Sequence, residues 1–589
     1  MNNPESFYTN RLQQYTRELQ QEKHRSYVVA LLRLLVFILL VSALYMYHQS
    51  AGQVLLVFLI WIPFFLFLVS KSADISQKIN KLKELIDLNE TELKVLNGQY
   101  DLLPDGAAFI NPNHDYSYDL DLFGKGSFFQ YINRSNKKTA QQYLAKLLTG
   151  NRTDAILKKQ EAIKDLASRP EWRQNFLANS RLVKDSLEPE KIVQVFKQHT
   201  YFTKALYYYG GLAFALGSIA MLTAYYFDFV SLKILTYWIV AGLTIAGRFA
   251  KKSHRFSQEL DLVMPSLSGY AKLLQLIENE NFKSELLLEK KQDLQRNGHK
   301  AFELINDLMR VYQQKEMTHN LIVKIIGNSL FLSDLMFSYR LEKRLKLYTD
   351  YLPVWLKTVD FFESYISLGN FAFNHPDYSF PKIIDSEWQI QSNALGHPLI
   401  PASKRVSNDF NIKHHQFFII TGANMAGKST FLRTVGLSIV MANVGLPVCA
   451  DSYAYQPIKL LTSMRTDDSL QEETSYFFSE LKRLKYIVTQ IQKDDYFIIL
   501  DEILKGTNSK DKAEGSQKFV ERLTRSKATG IIATHDLSLC ELANDYPQVK
   551  NHYFDAQIIN EELSFDYRFK EGIVQNMNAT FLLKKMEII

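Results

Sequence analysis

Cysteine is nearly absent from this sequence, and its scarcity excludes the class of small secreted proteins held together by disulfides. Only Cys449 and Cys540 occur among 589 residues, and neither has another metal-ligating residue at the spacing of a zinc site. Net charge is also small, because 69 Lys and Arg face 62 Asp and Glu, a formal +7. Such an excess does not by itself indicate a nucleic-acid-binding protein. We expect a reducing compartment and, from the length, about two to four domains.

Long apolar runs are present in the N-terminal half, at residues 27–47, 52–69, 205–227 and 232–246. A bilayer span needs about 20 apolar residues, with a range of about 17 to 25. The first three runs meet this length, and the fourth does so only if Lys233 reaches the interface with its charged end. Arg33 lies near the basic end of the first run, where its side chain can reach the interface in the same way. The runs predict two transmembrane hairpins, and the alternative is two buried helical hairpins in a soluble protein.

Basic residues flank the outer ends of both pairs of runs, whereas the link 48–51 contains no Lys or Arg. Positive charge next to a span favours the cytoplasmic side. The sequence therefore predicts a multi-pass protein of the cell (inner) membrane, with the N-terminus and the C-terminal half in the cytoplasm. The flanking residues are Lys23, Arg25, Lys71, Lys78, Lys197, Lys204, Arg248, Lys251, Lys252 and Arg255.

A phosphate-binding pattern lies in the C-terminal half, where short β-branched runs alternate with helical patterns from about residue 390, as in α/β domains. The apolar run FFIIT (417–421) precedes GANMAGKS (422–429), which fits G-x-x-x-x-G-K-[ST] and leads into a helical stretch from Thr430. Gly422 and Gly427 allow backbone N–H groups to surround phosphate. Lys428 is expected at the β- and γ-phosphates of ATP, Ser429 on Mg²⁺, and Thr430 among the nucleotide-binding residues.

Two further apolar runs end in polar residues that complete such a site. FIIL (497–500) is followed by Asp501, expected to bind Mg²⁺, and by Glu502, expected to orient or deprotonate the attacking water. Residues 530–533 form another strand pattern, which ends before Thr534 and His535. His535 is predicted to contact the γ-phosphate, and the alternative is a core or surface histidine.

Several of these segments resemble the ATPase domain of the MutS family of DNA mismatch repair proteins, which belongs to the ABC class. They are TGANMAGKSTFLRTVG (421–436), SMRTDDSLQEETSYFFSELKRLK (463–485), LDEILKGTNSKDK (500–512) and ATHDLSLCEL (533–542). Segments 119–135, 158–166, 361–383 and 395–400 are similar to the family's helical core, or lever, domain and its junction with the ATPase. FDYRFKEGIVQNMNATFLLKKM (565–586) resembles the family's closing segment.

The resemblance implies an α/β P-loop ATPase domain after an all-α lever domain, with ATP and Mg²⁺ held between the subunits of a homodimer. It assigns Ser475 to the partner subunit's nucleotide, Asn424 to the P-loop, residues 505–509 to the dimer interface and Leu399 to adenine. The chain is then divided into an N-terminal cytoplasmic segment (1–26), a first transmembrane hairpin (27–70), an amphipathic helix and linker (71–113), the first part of the core (114–204), a second transmembrane hairpin (205–247), lever helices (248–385) and the ATPase domain (386–589).

The function expected from the resemblance is a membrane-anchored ATPase whose levers close on DNA. An apolar hairpin stands where the family carries its mismatch-reading domain, and residues 256–351 leave little room for a DNA clamp. DNA binding is therefore predicted to be weak and not specific for mismatches. Phe361, Phe362 and Glu363 match a Phe-x-Glu pattern, but they fall in the core segment. The alternatives are a membrane machine that acts on a lipid or protein client without DNA, and an ATP-gated scaffold, against which Glu502 and His535 argue.

The predicted topology can be tested with an impermeant thiol reagent applied to intact cells. A cysteine introduced by Ser50→Cys should react from outside, whereas one introduced by Ser72→Cys should react only after the membrane is opened. Release of the whole chain by carbonate would show instead that the hairpins are buried in a soluble protein.

Overall fold

The structure, a computed structural model, describes residues 3–183, 188–296, 298–423, 425–465, 476–504, 508–559 and 562–574. Its helices are α1 (Pro4–Tyr47), α2 (Ala51–Leu96), α3 (Phe128–Ile132), α4 (Lys138–Thr149), α5 (Ile156–Ala167), α6 (Pro170–Leu182), α7 (Pro189–Gln198), α8 (Ala205–Tyr226), α9 (Leu232–Asn279), α10 (Glu285–Gln292), α11 (Ala301–Glu316), α12 (Leu321–Phe331), α13 (Ser333–Tyr348), α14 (Leu352–Asn374), α15 (Lys428–Val444), α16 (Tyr476–Gln490), α17 (Ser509–Arg525) and α18 (Leu542–Asp545). Its strands are β1 (Gln295–Arg296), β2 (His299–Lys300), β3 (Lys382–Ile383), β4 (Trp388–Leu395), β5 (Asn408–Lys413), β6 (Phe417–Gly422), β7 (Ser452–Tyr455), β8 (Lys459–Ser463), β9 (Tyr496–Asp501), β10 (Thr529–Ala533), β11 (Val549–Phe554), β12 (Ala556–Ile559), β13 (Glu562–Phe565) and β14 (Lys570–Glu571).

Helix α14 is the centre of the helical part, and most of its side chains are buried. Helices α4, α5, α6, α7 and α9 pack around it. Gly369 permits one of the closest approaches, because a Cβ there would lie 2.8 Å from the Cβ of Leu166 on α5. Phe361, Phe362 and Glu363 lie on α14, and at most 3 % of each is exposed. Their burial supports the prediction that this Phe-x-Glu match does not read DNA.

The first apolar hairpin, which we define as residues 27–70, belongs to two much longer helices. α1 and α2 pack side by side, and Glu22 accepts hydrogen bonds from Arg25 and Lys78, each at 2.8 Å. Arg33 donates to the Ser72 hydroxyl at 3.1 Å. The expected amphipathic helix after the hairpin is therefore the continuation of α2. Tyr8, near the start of α1, is buried and donates to Asn374 Oδ1 on α14 at 2.7 Å, which fixes the N-terminal segment to the core.

The second apolar hairpin, residues 205–247, is likewise continuous with the core. α9 has 48 residues, about 72 Å at a rise of about 1.5 Å per residue. Its first half pairs with α8, whereas its second half packs with α11 and α13 in what we call the lever bundle (residues 253–279, 301–316 and 333–348). The region where lever helices are expected is thus largely helical. Among the described residues between 256 and 351, we find helices and a short β-hairpin in place of a separate clamp domain.

Four described helices are long and apolar enough to cross a membrane: α1, α2, α8 and α9. Only between 6 % and 17 % of the residues in their most apolar windows are buried in the chain. The pair α12 and α13 meets the same criteria as one unit, but it is bent by 88°. The four runs found in the sequence are therefore apolar helices whose side chains are mostly exposed in this chain.

The C-terminal domain contains a six-stranded sheet in the order β14-β11-β6-β10-β9-β8. All neighbours are parallel except β11 and β14. A four-stranded sheet in the order β3-β7-β4-β5 lies beside it. One hydrophobic core extends from the helical part to one face of the larger sheet, and a second core lies under α16 and α17. This is an α/β domain preceded by a helical region.

Asp119 joins the helical part to the α/β domain. It is 6 % exposed, and its carboxylate accepts hydrogen bonds from Thr462 Oγ1 (2.5 Å) and from the backbone N–H groups of Met464 (3.1 Å) and Arg465 (2.9 Å). Nearby Asp121 forms a more exposed ion pair with the Arg465 guanidinium, at 2.5 Å. A buried carboxylate with three donors contributes more than a solvated pair.

The substitution Asp119→Ala should therefore destabilise the solubilised protein by about 2–3 kcal/mol, because three buried donors lose their acceptor. Asp121→Asn is the surface control, because Asn also tolerates the left-handed backbone at this position (φ +51°), and it is expected to cost about 0–1 kcal/mol. Thermal unfolding of both variants in the same detergent measures the difference. Equal losses of stability would show that Asp119 does not hold the two parts together.

Candidate active site

Three parallel strands deliver the candidate residues to one edge of the large sheet. β10 lies between β6 and β9, so their carboxyl ends are neighbours. β6 leads into the glycine-rich loop, β10 is followed by His535, and β9 ends at Asp501. The carboxyl edge of a parallel sheet is where ligands bind in open α/β folds. Residues separated by up to about a hundred positions therefore converge there.

The loop between β6 and α15 has the backbone of a phosphate cradle. Gly422 has φ +144° and Gly427 has φ +102°, and Met425 also has a positive φ of +69°. A Cβ at Gly422 would lie 2.5 Å from the carbonyl oxygen of Phe554, so only glycine fits there. Gly427 is the N-cap of α15, which directs the free N–H groups of this helix into the loop. Asn424 lies outside the described residues.

Lys428 is the first residue of α15, and its side chain turns back into the loop. Its Nζ donates to the carbonyl oxygens of Gly422 (2.7 Å) and Ala423 (2.9 Å) and lies 3.4 Å from His535 Nε2. Burial lowers the pKa of the Lys428 ammonium, and the carboxylates of Asp501 and Glu502 oppose that shift. The amine therefore lies among groups that the sequence assigns to the γ-phosphate.

Ser429 and Asp501 meet directly. Ser429 Oγ donates to Asp501 Oδ2 at 2.6 Å, joining the loop to the end of β9. A hydroxyl and a carboxylate are hard oxygen ligands of the kind that Mg²⁺ takes, with waters and substrate phosphates as its other ligands. The pair therefore fits the Mg²⁺ that the sequence implies. Within the described part of the chain, no cluster of three or more His, Cys, Asp or Glu provides a metal site made of protein alone.

Glu502 has an unusual backbone. Its φ is +49°, a left-handed conformation that is costly for a residue with a side chain and that often marks functional sites. The N–H of Glu502 donates to the carbonyl oxygen of Ala533 at 2.9 Å, which couples the ends of β9 and β10. Its carboxylate is paired with Lys512 of α17 at 2.8 Å, and both side chains are partly exposed. The strained turn directs this carboxylate along the same edge as Asp501.

His535 lies between the loop and Glu502. Burial lowers its pKa from the ordinary value, and the Lys428 ammonium lowers it further. The imidazole is therefore neutral at neutral pH, and its Nε2 can accept a hydrogen bond from Lys428 Nζ. Because His535 contacts Lys428, a role near phosphate explains its position better than the alternative of an isolated core or surface histidine.

A cavity of about 680 Å³ opens beside these groups and contains most of the predicted site residues. Gly427, Lys428, Ser429, Thr430, Asp501, Glu502 and His535 all line it. From the segment expected near adenine, the structure places Leu395, His397 and Ile400 on the wall, whereas Leu399 packs against the hydrophobic core. Leu399, expected near adenine, is therefore not among the residues that line the cavity, whereas its neighbour Ile400 is.

Two aromatic residues of this wall were not singled out from the sequence. Phe554 ends β11, and Tyr567 lies between β13 and β14. A Cβ at Gly427 would lie 3.0 Å from the Tyr567 ring, and the Tyr567 carbonyl accepts from Asn408 Nδ2 at 3.0 Å. The available signal was FDYRF, the start of the segment that resembles the family's closing segment. Ser475 and residues 505–507, expected at a dimer interface, lie outside the described residues.

Comparison with known proteins agrees with this geometry. Residues 418–582, from the loop strand to beyond Tyr567, match the family model for MutS domain V. This C-terminal region is therefore similar to domain V of the MutS family. MutS protein homolog 4 of Homo sapiens is 30 % identical over 242 residues, which is 39 % of this chain and 25 % of that protein.

Bacterial members of the MutS family are similarly related. The DNA mismatch repair protein MutS of Thermotoga petrophila is 30 % identical over 211 residues, 35 % of this chain and 26 % of that protein. The MutS of Fervidobacterium nodosum is 28 % identical over 273 residues, 45 % of this chain and 32 % of that protein. The matched region spans only about a quarter to a third of the length of these relatives.

Proposed function

We propose that this MutS-family chain is a membrane-anchored ATPase that hydrolyses Mg²⁺-bound ATP in a homodimer. The observation that carries the proposal is the meeting of Lys428, the Ser429–Asp501 pair, Glu502 and His535 around one cavity at the carboxyl edge of the sheet. A scaffold that only binds nucleotide does not require a strained carboxylate beside the phosphate cradle. Hydrolysis of ATP therefore explains Glu502 better than nucleotide binding alone.

The residues of the site have separate roles in this proposal. Backbone N–H groups of residues 422–429 and the Lys428 ammonium bind the β- and γ-phosphates. Ser429 and Asp501 would hold Mg²⁺, whose positive charge would offset charge on the phosphate oxygens. Glu502 orients the attacking water and accepts its proton, and the neutral imidazole of His535 contacts the γ-phosphate. Lys512 must release Glu502 for this step, because their ion pair occupies the carboxylate.

The base and the second subunit complete the site. Ile400 and the Tyr567 ring stand on the cavity wall, where an apolar side chain and an aromatic ring suit adenine. MutS-family proteins act as dimers, and Ser475 and residues 505–509 of one subunit are proposed to contact the nucleotide of the other. ATP binding would then bring the two subunits together and close the levers.

The proposed membrane anchor consists of the two apolar hairpins. Their helices have the length and composition of bilayer spans, and their apolar side chains are exposed. Arg33 donates to Ser72 at the basic end of the first hairpin, which is consistent with the predicted cytoplasmic side. α9 runs without interruption from the second hairpin into the lever bundle. ATP-driven movement of the levers is thus directly coupled to helices in the membrane.

Two clients are compatible with this arrangement. The relatives are named DNA mismatch repair proteins, which supports DNA as a weakly bound partner contacted through its phosphates. The second candidate is a membrane machine that acts on lipid or protein without DNA. The direct continuation of the lever bundle into apolar helices favours this second candidate.

Substitutions at the phosphate and water positions test the ATPase. Lys428→Ala should weaken ATP binding, and Glu502→Gln should retain ATP while slowing hydrolysis by roughly 10² or more, the scale of a lost catalytic base. Lys510→Ala and Glu514→Gln, on the exposed surface of nearby α17, are matched controls that should leave both properties unchanged. Steady-state ATPase and nucleotide-retention assays provide the measurements. Normal turnover in Glu502→Gln would remove Glu502 from the mechanism.

A competition titration with matched and mismatched duplexes at two salt concentrations separates the two clients. If DNA is bound through its phosphates, binding should be weak, fall steeply with salt and respond to ATP. Matched and mismatched duplexes should then differ by no more than ~threefold, because phosphate contacts carry little information on base pairing. A preference of about tenfold for mismatches would contradict this proposal. Absence of binding at low salt would leave the membrane machine as the function.

A further inference from the structure

Helix α12 carries an apolar surface that the four proposed spans do not explain. Its sequence, LIVKIIGNSLF, contains Lys324 as its only charged residue. Leu321 is 69 % exposed, Ile322 is 68 % exposed and Ile326 is 52 % exposed, and Val323, Ile325 and Phe331 are also exposed. A continuous apolar face of this kind in a soluble region indicates contact with a membrane or another molecule. At about 16 Å, eleven helical residues are too short to cross a bilayer core of about 30 Å.

The inner side of α12 packs against the second apolar hairpin. A Cβ at Gly242 of α9 would lie 2.4 Å from the carbonyl oxygen of Ser329, so the two backbones are in contact. A Cβ at Gly211 of α8 would similarly lie 2.8 Å from the Cγ of Met336 on α13. Close approach through small residues is typical of helices that associate in membranes. The exposed face of α12 is therefore continuous with the lipid-facing surface of α8 and α9.

A buried polar layer marks where the lever bundle ends below α12. Lys315, which is 2 % exposed, donates to Ser253 Oγ (2.7 Å) and Ser338 Oγ (2.9 Å), so α9, α11 and α13 meet at one level. Lys251 and Lys252 are exposed at that level of α9, as expected next to anionic headgroups. Gly242 lies five residues inside the cytoplasmic end of the second apolar hairpin, about 8 Å into the proposed span. The contact with Ser329 therefore lies within the cytoplasmic leaflet.

The sharp bend after α12 is made with its polar groups satisfied. Leu332 has φ +50°, and the helices on either side are bent by 88°. Asn328 Oδ1 accepts from the Asp334 N–H at 3.0 Å, and the Asp334 carboxylate accepts from Asn328 Nδ2 (2.9 Å) and Thr318 Oγ1 (2.8 Å). Broken helices are tolerated at membrane depth only when the protein supplies such partners. Asn320 likewise caps the start of α12, accepting from the Ile322 N–H at 3.0 Å.

We infer that α12 is embedded in the cytoplasmic leaflet of the bilayer, as a fifth membrane element that enters and leaves on the same side. The inference rests on the proposed membrane placement of the second apolar hairpin. It also places the end of the lever bundle next to α12 in the membrane. The end of the lever bundle next to α12 then lies in one leaflet, so that closure of the levers displaces lipid there. The occupant of the apolar face is lipid, because that face is continuous with the surface of the spans.

Spin labels on the full chain in lipid nanodiscs test this placement. One label is attached after Ile326→Cys, one after Leu216→Cys in the second hairpin, and one after Leu347→Cys at the cytoplasmic end of α13. Leu216 is 62 % exposed and Leu347 is 56 % exposed, so the three sites are matched in exposure and residue type. Cys449 and Cys540 are buried, and the unsubstituted protein measures their background labelling.

Collision with oxygen, which partitions into lipid, is compared with collision with a water-soluble nickel chelate. We expect the ratio of the oxygen collision rate to the nickel collision rate to be the same for the Ile326 and Leu216 labels. This ratio should be about tenfold or more higher than at Leu347, on the scale of apolar partitioning. A lipid-like Leu216 label with a water-like Ile326 label would overturn the inference and leave the anchor intact. An Ile326 label shielded from both reagents would show a protein partner instead. Water-like behaviour at Leu216 as well would overturn the proposed anchor itself.

Discussion

The carboxylate of Glu363, buried at the centre of α14, is the interaction on which the helical part depends. It accepts hydrogen bonds from the N–H groups of Asn136 (2.6 Å) and Lys137 (2.9 Å) and from Ser180 Oγ (2.7 Å), so that α4, α6 and α14 share one acceptor. One turn further on, Ser367 Oγ accepts from the N–H of Arg134. Near the end of the same helix, Asn374 accepts from Tyr8 of α1 and donates to Glu92 of α2. The start of α1, the end of α2 and the helical core are thus organised around α14, and loss of its buried acceptor would leave several donors unpaired.

The sequence predicted the features that depend on local pattern. Hydropathy located the four apolar helices, and the run FFIIT followed by GANMAGKS located the loop, because strand, glycines and helix must follow one another in that order. Asp501, Glu502 and His535 were also predicted, since each follows an apolar strand and parallel strands end at one edge of the sheet. The resemblance to the MutS family then identified the C-terminal region that contains these segments.

Features that depend on packing between distant residues were not predicted. α12 is short and contains Lys324, so its composition alone resembles an ordinary core helix, and only its exposure beside Gly242 distinguishes it. Ile400 rather than Leu399 lines the cavity, because a turn of a few residues decides which side chain faces inward. Tyr567 reaches Gly427 from 140 residues away through the path of the closing segment. The positive φ of Glu502, whose N–H donates to the Ala533 carbonyl, is likewise not predicted by its residue type.

The tight turns between the apolar helices have a further consequence for the kinds of signal that the protein can detect across a membrane. α1 and α2 are joined by residues 48–50, and α8 and α9 by residues 227–231. With the predicted topology, these two turns are the parts of the described hairpins that face the outside. They are too short to form a receptor domain or to present a large epitope. In the proposed topology, properties of the lipid such as thickness, tension or curvature are therefore signals that the hairpins could pass to the C-terminal domain.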